Sequence, residues 1–143
     1  MAIGVQIVID CADPAALARF WAAALDYEEQ RPPAGFDNWE DALRSWGVPE
    51  SEFNSAGAVV DPAGVGPRIY LQRVPEGKTV KNRLHLDLAI TNGSGTLEAR
   101  KQALAEAARR LIGLGATQVG VTEDFKGYAI VMQDPEHNEF CVH

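Results

Sequence analysis

The sequence predicts an α+β fold in which one strand–helix–strand unit is used twice. Three observations carry this. The order strand, helix, then about three strands occurs over roughly 4–74 and again over 82–143. Each half places an Asp-Pro turn before its final strand, at Asp61-Pro62 and Asp134-Pro135. The stretch Lys81 to Asn92, KNRLHLDLAITN, alternates apolar and polar residues with the period of a half-buried strand. An internal repeat constrains a fold more than any single residue does. At 143 residues the whole chain is expected to form one domain, 1–143, with room for a sound core.

In the first half, Val5, Ile7 and Ile9 alternate with Gln6, Val8 and Asp10 as a first strand. Asp13-Pro14 follows, an N-cap residue and a proline suited to the first helical turn. Leu17, Phe20, Trp21 and Leu25 then recur at helical spacing, so residues 14–25 should form an amphipathic helix covering the Val5/Ile7/Ile9 face. Residues 31–56 change character. Pro32-Pro33-Ala34-Gly35 reads as loop, and Trp39, Leu43 and Trp46, between Asn38 and Gly47, suggest a short helix. Their helical spacing suits a core or lid role better than a stacking platform. An insertion of this length is one that a functional site would use as a shield. Gly57 to Val60 and Arg68 to Val74 are strands, the second placing Tyr70, Gln72 and Val74 on one side.

The second half opens with the strand 82–90. Leu84, Leu86, Leu88 and Ile90 form one aliphatic face, expected against a helix. The other face carries Arg83, His85 and Asp87. His85 and Asp87 lie about 6.5 to 7 Å apart along an extended strand, so both reach one ligand without implying a direct hydrogen bond. Ser94 or Thr96 caps a long helix whose buried face is Leu97, Leu104, Ala108, Leu111 and Ile112, ended by Gly113 or Gly115. Strands follow around Val119 and Val121, at 128–132 and at 139–143. The turn Asp134-Pro135-Glu136-His137-Asn138 needs its Asp, Pro and Asn for geometry whatever the function.

Composition removes several function classes. The net charge of −7 opposes a nucleic acid or an anionic membrane as partner. Arg100, Lys101, Arg109 and Arg110 are interleaved with Glu98 and Glu106, as on a solvated helix face. No apolar run approaches the ~20 residues of a membrane span. The amino terminus reads as a strand without a basic leader, so a cytoplasmic location is expected. Cys11 and Cys141 lack a CxxC spacing, and a structural disulfide is not expected in a reducing compartment. There is no Walker sequence, GxGxxG, GxSxG or HExxH.

The segments QIVIDCADPAALARFWAAALDYE (6–28), DPAGVGPRIYLQRVPEGKTVKNRLHLDL (61–88) and DPEHNEFCVH (134–143) give the chain a resemblance to the vicinal oxygen chelate superfamily, in its glyoxalase-like, bleomycin-resistance-like branch. The resemblance covers nearly the whole chain. It implies two βαβββ modules whose sheets curl into a half-barrel around a cleft, a small-molecule ligand and a homodimer. It also implies four metal-ligand positions, one on the first and one on the last strand of each module. Carried over by position, these fall on Gln6, Gln72, His85 and Cys141; Gln6 and His85 each precede the opening of their helix segment by seven residues. Both carboxylate positions hold other residues, and hard ions such as Mg²⁺, Mn²⁺ or Fe²⁺ need anionic oxygens. No resident metal is therefore expected, although Cys141 thiolate with His85 would suit Zn²⁺ and Glu139 shares the face of Cys141. Lactoylglutathione lyase activity is not expected.

His85 is the candidate acid–base residue, because imidazole is the side chain most readily tuned near neutral pH. Its alternative is a packing role. Asp87 either orients His85 or a ligand, or forms a salt bridge to Arg83 or Arg68. Gln6, Gln72, Tyr70, Arg83 and Cys141 are the candidate substrate contacts; Cys141 reads better as a small buried apolar residue than as a nucleophile, and the two amides read equally as polar groups on a sheet edge. His137 and His143 are expected to be exposed. Two functions remain open: a lyase- or isomerase-type enzyme, or a non-catalytic protein that sequesters an antibiotic or metabolite.

Overall fold

A computed structural model describes residues 1–143, which divide into two compact units, Met1–Gly77 and Lys78–His143. Both units have the same topology. In the first, β1 (Ile7–Cys11), α1 (Pro14–Leu25), β2 (Glu28–Glu29), β3 (Ala56–Val60) and β4 (Ile69–Arg73) form a four-stranded sheet in the order β1-β4-β3-β2. In the second, β5 (Asp87–Leu88), α3 (Leu97–Leu114), β6 (Thr117–Asp124), β7 (Gly127–Gln133) and β8 (Glu139–Val142) are ordered β5-β8-β7-β6. First and last strands pair in parallel and the remaining pairs are antiparallel, so each sheet is mixed and open. The expected α+β architecture of two βαβββ modules is present.

Helix α1 forms where the sequence predicts it. Asp13 Oδ1 accepts from the Ala16 N–H at 3.1 Å, Pro14 occupies the first turn, and Asp26 ends the helix at φ 56°. Leu17, Phe20 and Trp21 are buried against Val59, Ile69 and Leu71, all at 0–3% exposure. Burying each such side chain contributes about 1.5–3 kcal/mol. Cys11 is buried in this core and Cys141 is half-buried, and they form no disulfide. The inserted segment between β2 and β3 contains α2 (Trp39–Ser45) and a 3₁₀ turn at Glu50–Glu52. Neither tryptophan of the segment is a core residue: Trp39 is 38% and Trp46 is 56% exposed. Trp39 instead donates its indole N–H to the Gln30 carbonyl at 2.7 Å, and Trp46 meets Phe36 edge-on at 6.2 Å. The short β2 has no pattern in the sequence, since two glutamates paired with Val59 and Val60 leave no periodic signal.

In the second unit Thr96, and not Ser94, caps α3 by accepting from the Ala99 N–H, and Gly115 at φ 117° ends it. Leu104, Ala108 and Leu111 form the buried stripe. Leu97 and Ile112, expected on that stripe, are 43% and 46% exposed. The larger correction concerns the strand expected over 82–90, of which only Asp87–Leu88 joins the sheet. A bend at Arg83–Leu84 interrupts it. Its aliphatic face is consequently divided: Leu88 is buried, Leu86 half-buried, and Leu84 and Ile90 are 77% and 41% exposed. As an edge strand, β5 has β8 on one side only, so hydrophobic alternation alone did not fix its length.

Candidate functional site

The parallel register of β5 and β8 sets Asp87 beside Cys141. Phe140 and Val142 are buried, so by strand alternation Cys141 and Glu139 occupy the opposite face of β8. His85 precedes the bridged residues and leans toward the same place: its Nδ1 lies 2.6 Å from Asp87 Oδ1. This direct contact corrects the expectation from ideal strand spacing, because the bend at 83–84 removes the extended geometry on which that spacing depends. Both side chains are partly exposed, at 38% and 47%. With Asp87 accepting from Nδ1–H, the imidazole keeps Nε2 as a free acceptor, the arrangement of an oriented general base. Asp87 pairs with neither proposed arginine. Arg83 is exposed, and Arg68 is engaged elsewhere.

Cys141 completes the cluster. Donor atoms of His85, Asp87 and Cys141 lie within 4.8 Å of one another. Burial, and then the negative charge of Asp87, push the Cys141 thiol above its ordinary pKa. The neutral thiol is thereby a poor nucleophile at pH 7. Glu139 lies outside this donor group. It accepts from the Asn82 N–H at 2.9 Å and pairs with Lys78 at 3.1 Å, and these bonds hold its carboxyl down at about 2. Glu139 therefore ties the segment that leads to His85 onto β8. Its folded pKa lies below the ordinary 4.5, so its contribution is complete above pH 4.5 and lost as pH falls toward 2. Glu139→Gln should remove about 1–2 kcal/mol at neutral pH and flatten the stability–pH curve over that window, read by denaturant unfolding at several pH values.

In the first unit the register brings other candidates together. Gln6, just before β1, accepts from Arg68 Nη1 at 2.6 Å, and the Arg68 guanidinium lies 5.3 Å over the Tyr70 ring. Gln30 accepts from Arg68 Nε at 2.7 Å. Val8 pairs with Tyr70 as Asp87 pairs with Cys141. Since Gln6 and His85 each lie two residues before those positions, the counterpart of Cys141 in the first unit is Tyr70. Gln72 lies two residues further along β4, exposed and opposite Asp10 and Ala56.

Tyr70 and Arg68 also line a pocket of about 590 Å³ with Trp39, Leu43, Phe53 and Asn54. The inserted segment supplies four of these six side chains. Asn54 fastens it to the start of α1, accepting from the Ala15 N–H at 2.9 Å and donating to Asp13 at 2.8 Å. Asn54 is the main reason the Asp13 carboxyl lies below its ordinary pKa. Arg73 pairs with Glu52 at 3.0 Å and fixes the 3₁₀ turn. No sequence pattern marks Gln30 or Phe53, and Arg68 stands out there only as a salt-bridge alternative for Asp87. The length and aromatic content of the insertion were the available signal.

A glyoxalase-like domain family model matches residues 6–143. No curated protein matches. A glyoxalase/bleomycin resistance protein/dioxygenase family enzyme of Burkholderia phytofirmans is similar in structure, with TM-score 0.60 at 18% identity over 96% of this chain and 94% of that one. A FosX fosfomycin resistance protein of Listeria monocytogenes, solved with Mn(II) and 1S,2S-dihydroxypropylphosphonic acid, gives TM-score 0.63 at 14% identity over 100% and 90%. FosX of Mesorhizobium loti gives 0.60 at 12% identity over 100% and 92%. At these identities the likeness is one of fold.

Proposed function

As the chain belongs to the glyoxalase-like domain family, we propose that it binds a small organic molecule and performs a lyase- or isomerase-type step with His85 as the acid–base group. The observation that carries this reading is the 2.6 Å contact between His85 Nδ1 and Asp87 Oδ1. It orients the ring, leaves Nε2 as proton acceptor and stabilises the imidazolium that forms. In an isomerisation, Nε2 takes a proton from the carbon beside an electron-withdrawing group and returns it to a neighbouring atom, so the enzyme is unchanged at the end. Arg83 and Cys141, in the same unit as His85, are the proposed substrate contacts, while Gln6, Gln72 and Tyr70 lie in the first unit. We extend the reading to a homodimer acting in the cytoplasm; no helix is long and apolar enough to cross a membrane.

The donor cluster favours a second reading, in which His85, Asp87 and Cys141 hold a divalent ion. One imidazole, one carboxylate and one thiolate suit Zn²⁺ and leave a coordination position open. They suit Mn²⁺ poorly, since Asp87 is the sole anionic oxygen donor of the group. Bound there, such an ion would polarise a substrate oxygen.

One experiment separates the readings. The protein is incubated with a panel of small carbonyl compounds, epoxides and organic acids, and their consumption is followed by mass spectrometry before and after dialysis against EDTA. Turnover that survives EDTA and falls about tenfold in Asp87→Asn, with KM unchanged, supports the acid–base dyad. Turnover lost to EDTA and restored by Zn²⁺ supports the metal reading. Ligands bound but never consumed leave the protein a sequestering module and overturn the enzymatic reading.

A further inference from the structure

The pocket of the first unit differs in character from the His85 cluster: its walls are largely apolar, and it contains a cation without an acidic partner. Arg31, Arg44 and Arg73, the other arginines of or near the inserted segment, each pair with a carboxylate, on Glu28, Asp41 and Glu52. Arg68 does not. Its Nε and Nη1 donate to the neutral side-chain oxygens of Gln30 and Gln6, and its plane rests on Tyr70. Two amides and an aromatic ring hold the guanidinium in place without neutralising it. In a chain with 20 acidic and 13 basic residues, that is a selective arrangement. Three acids line the same pocket: Glu52 is taken by Arg73, while Glu29 and Glu40 are exposed and make no ion pair with Arg68.

Around this charge stand three aromatic rings, Trp39, Phe53 and Tyr70. Trp39 is held by the carbonyl of Gln30, the residue whose side chain also holds Arg68. Ring and cation are thus fixed through one residue. A volume of about 590 Å³ falls in the range of small-ligand sites.

We propose that this pocket binds a small aromatic carboxylic acid, its carboxylate on the Arg68 guanidinium and its ring against Trp39, Phe53 and Tyr70. A guanidinium donates charge-assisted hydrogen bonds to a carboxylate, and Nη2 of Arg68 is not engaged by Gln6 or Gln30. The inference rests on the small-molecule reading above but not on the His85 dyad, which belongs to the other unit.

The test uses the full chain and two probes of one shape, 2-naphthoate and its neutral amide, titrated by calorimetry and by tryptophan fluorescence. The acid should bind at least about tenfold more tightly than the amide, the usual margin of a charge-assisted pair. Arg68→Gln should erase that ratio, and raised salt should weaken the acid alone. Phe53→Ala should weaken both probes alike, and Trp39→Phe should remove the fluorescence response while calorimetry still registers binding. Because Arg68 also anchors Gln6 and Gln30, the salt dependence of the wild-type protein supplies a readout independent of the variant's folding. Equal affinity for acid and amide, an unchanged ratio in Arg68→Gln, or no binding of either probe overturns the proposal. Each of those results leaves the turnover experiment on His85 free to succeed or fail by itself.

Discussion

His85→Ala is expected to lower kcat by about 10²- to 10⁴-fold, the span associated with removing a positioned general base. Ligand affinity should change only a few-fold, because the proton is transferred after binding. The imidazole is 38% exposed and its hydrogen bond runs to a partly exposed carboxylate, so its removal opens no core cavity. A loss of activity with an unchanged unfolding transition would therefore be chemical in origin. The informative companion is His85→Gln, which retains an amide for hydrogen bonding but cannot exchange a proton near neutral pH. If Gln restores most of the turnover, His85 positions substrate and does not transfer a proton, and the acid–base assignment fails. The measurement is steady-state kinetics on whichever compound the panel identifies, paired with thermal unfolding of each variant.

Asp134→Ala should destabilise the second unit by about 3 kcal/mol, the cost of stranding buried partners of a charged acceptor. Asp134 is 1% exposed. Its Oδ1 accepts from the backbone N–H groups of Glu136 and Asn138 at 2.9 and 3.0 Å, and its carboxylate takes the Asn138 amide at 2.9 and 3.1 Å. Alanine would leave all of these donors in partly buried surroundings. The turn also holds His137 at φ 69°, a conformation that a non-glycine residue adopts only when its neighbours enforce it. Asn138→Ala should cost less, because the backbone N–H bonds to Asp134 survive. Differential scanning calorimetry with urea unfolding would measure both; an Asp134→Ala transition within 1 °C of wild type would refute the assigned role.

The equivalent turn of the first unit gives the control. Asp61 accepts from the N–H groups of Ala63, Val65 and Gly66, and these bonds hold its carboxyl below the ordinary range. It is more exposed than Asp134, so solvent can replace the lost partners and Asp61→Ala should be the milder change. The same dipeptide signals both turns in the sequence, while burial decides which one the fold depends on.

Residues 14–25 read as a helix in the sequence and are one in the structure, because N-cap, proline and apolar spacing all act within one or two turns. The repeated strand–helix–strands order was legible for the same reason. Leu84 and Ile90 show where this legibility stops: their alternation assigns a face, but only a pairing partner makes that face an interior. The exposed Trp39 and Trp46 teach a related point, since helical spacing identifies a stripe without saying what lies opposite it.

By itself the sequence determined the twice-used unit, the limits of α1, the turn chemistry at Asp61 and Asp134, and the residue types available for function. Those are consequences of local sterics and periodicity. Tertiary structure alone decided that the chain bends at 83–84 so that His85 meets Asp87, that Cys141 stands beside them, and that Arg68 shares a pocket with Trp39 and Phe53. Contacts between residues many positions apart depend on strand register and on what covers each edge, and no local pattern encodes either.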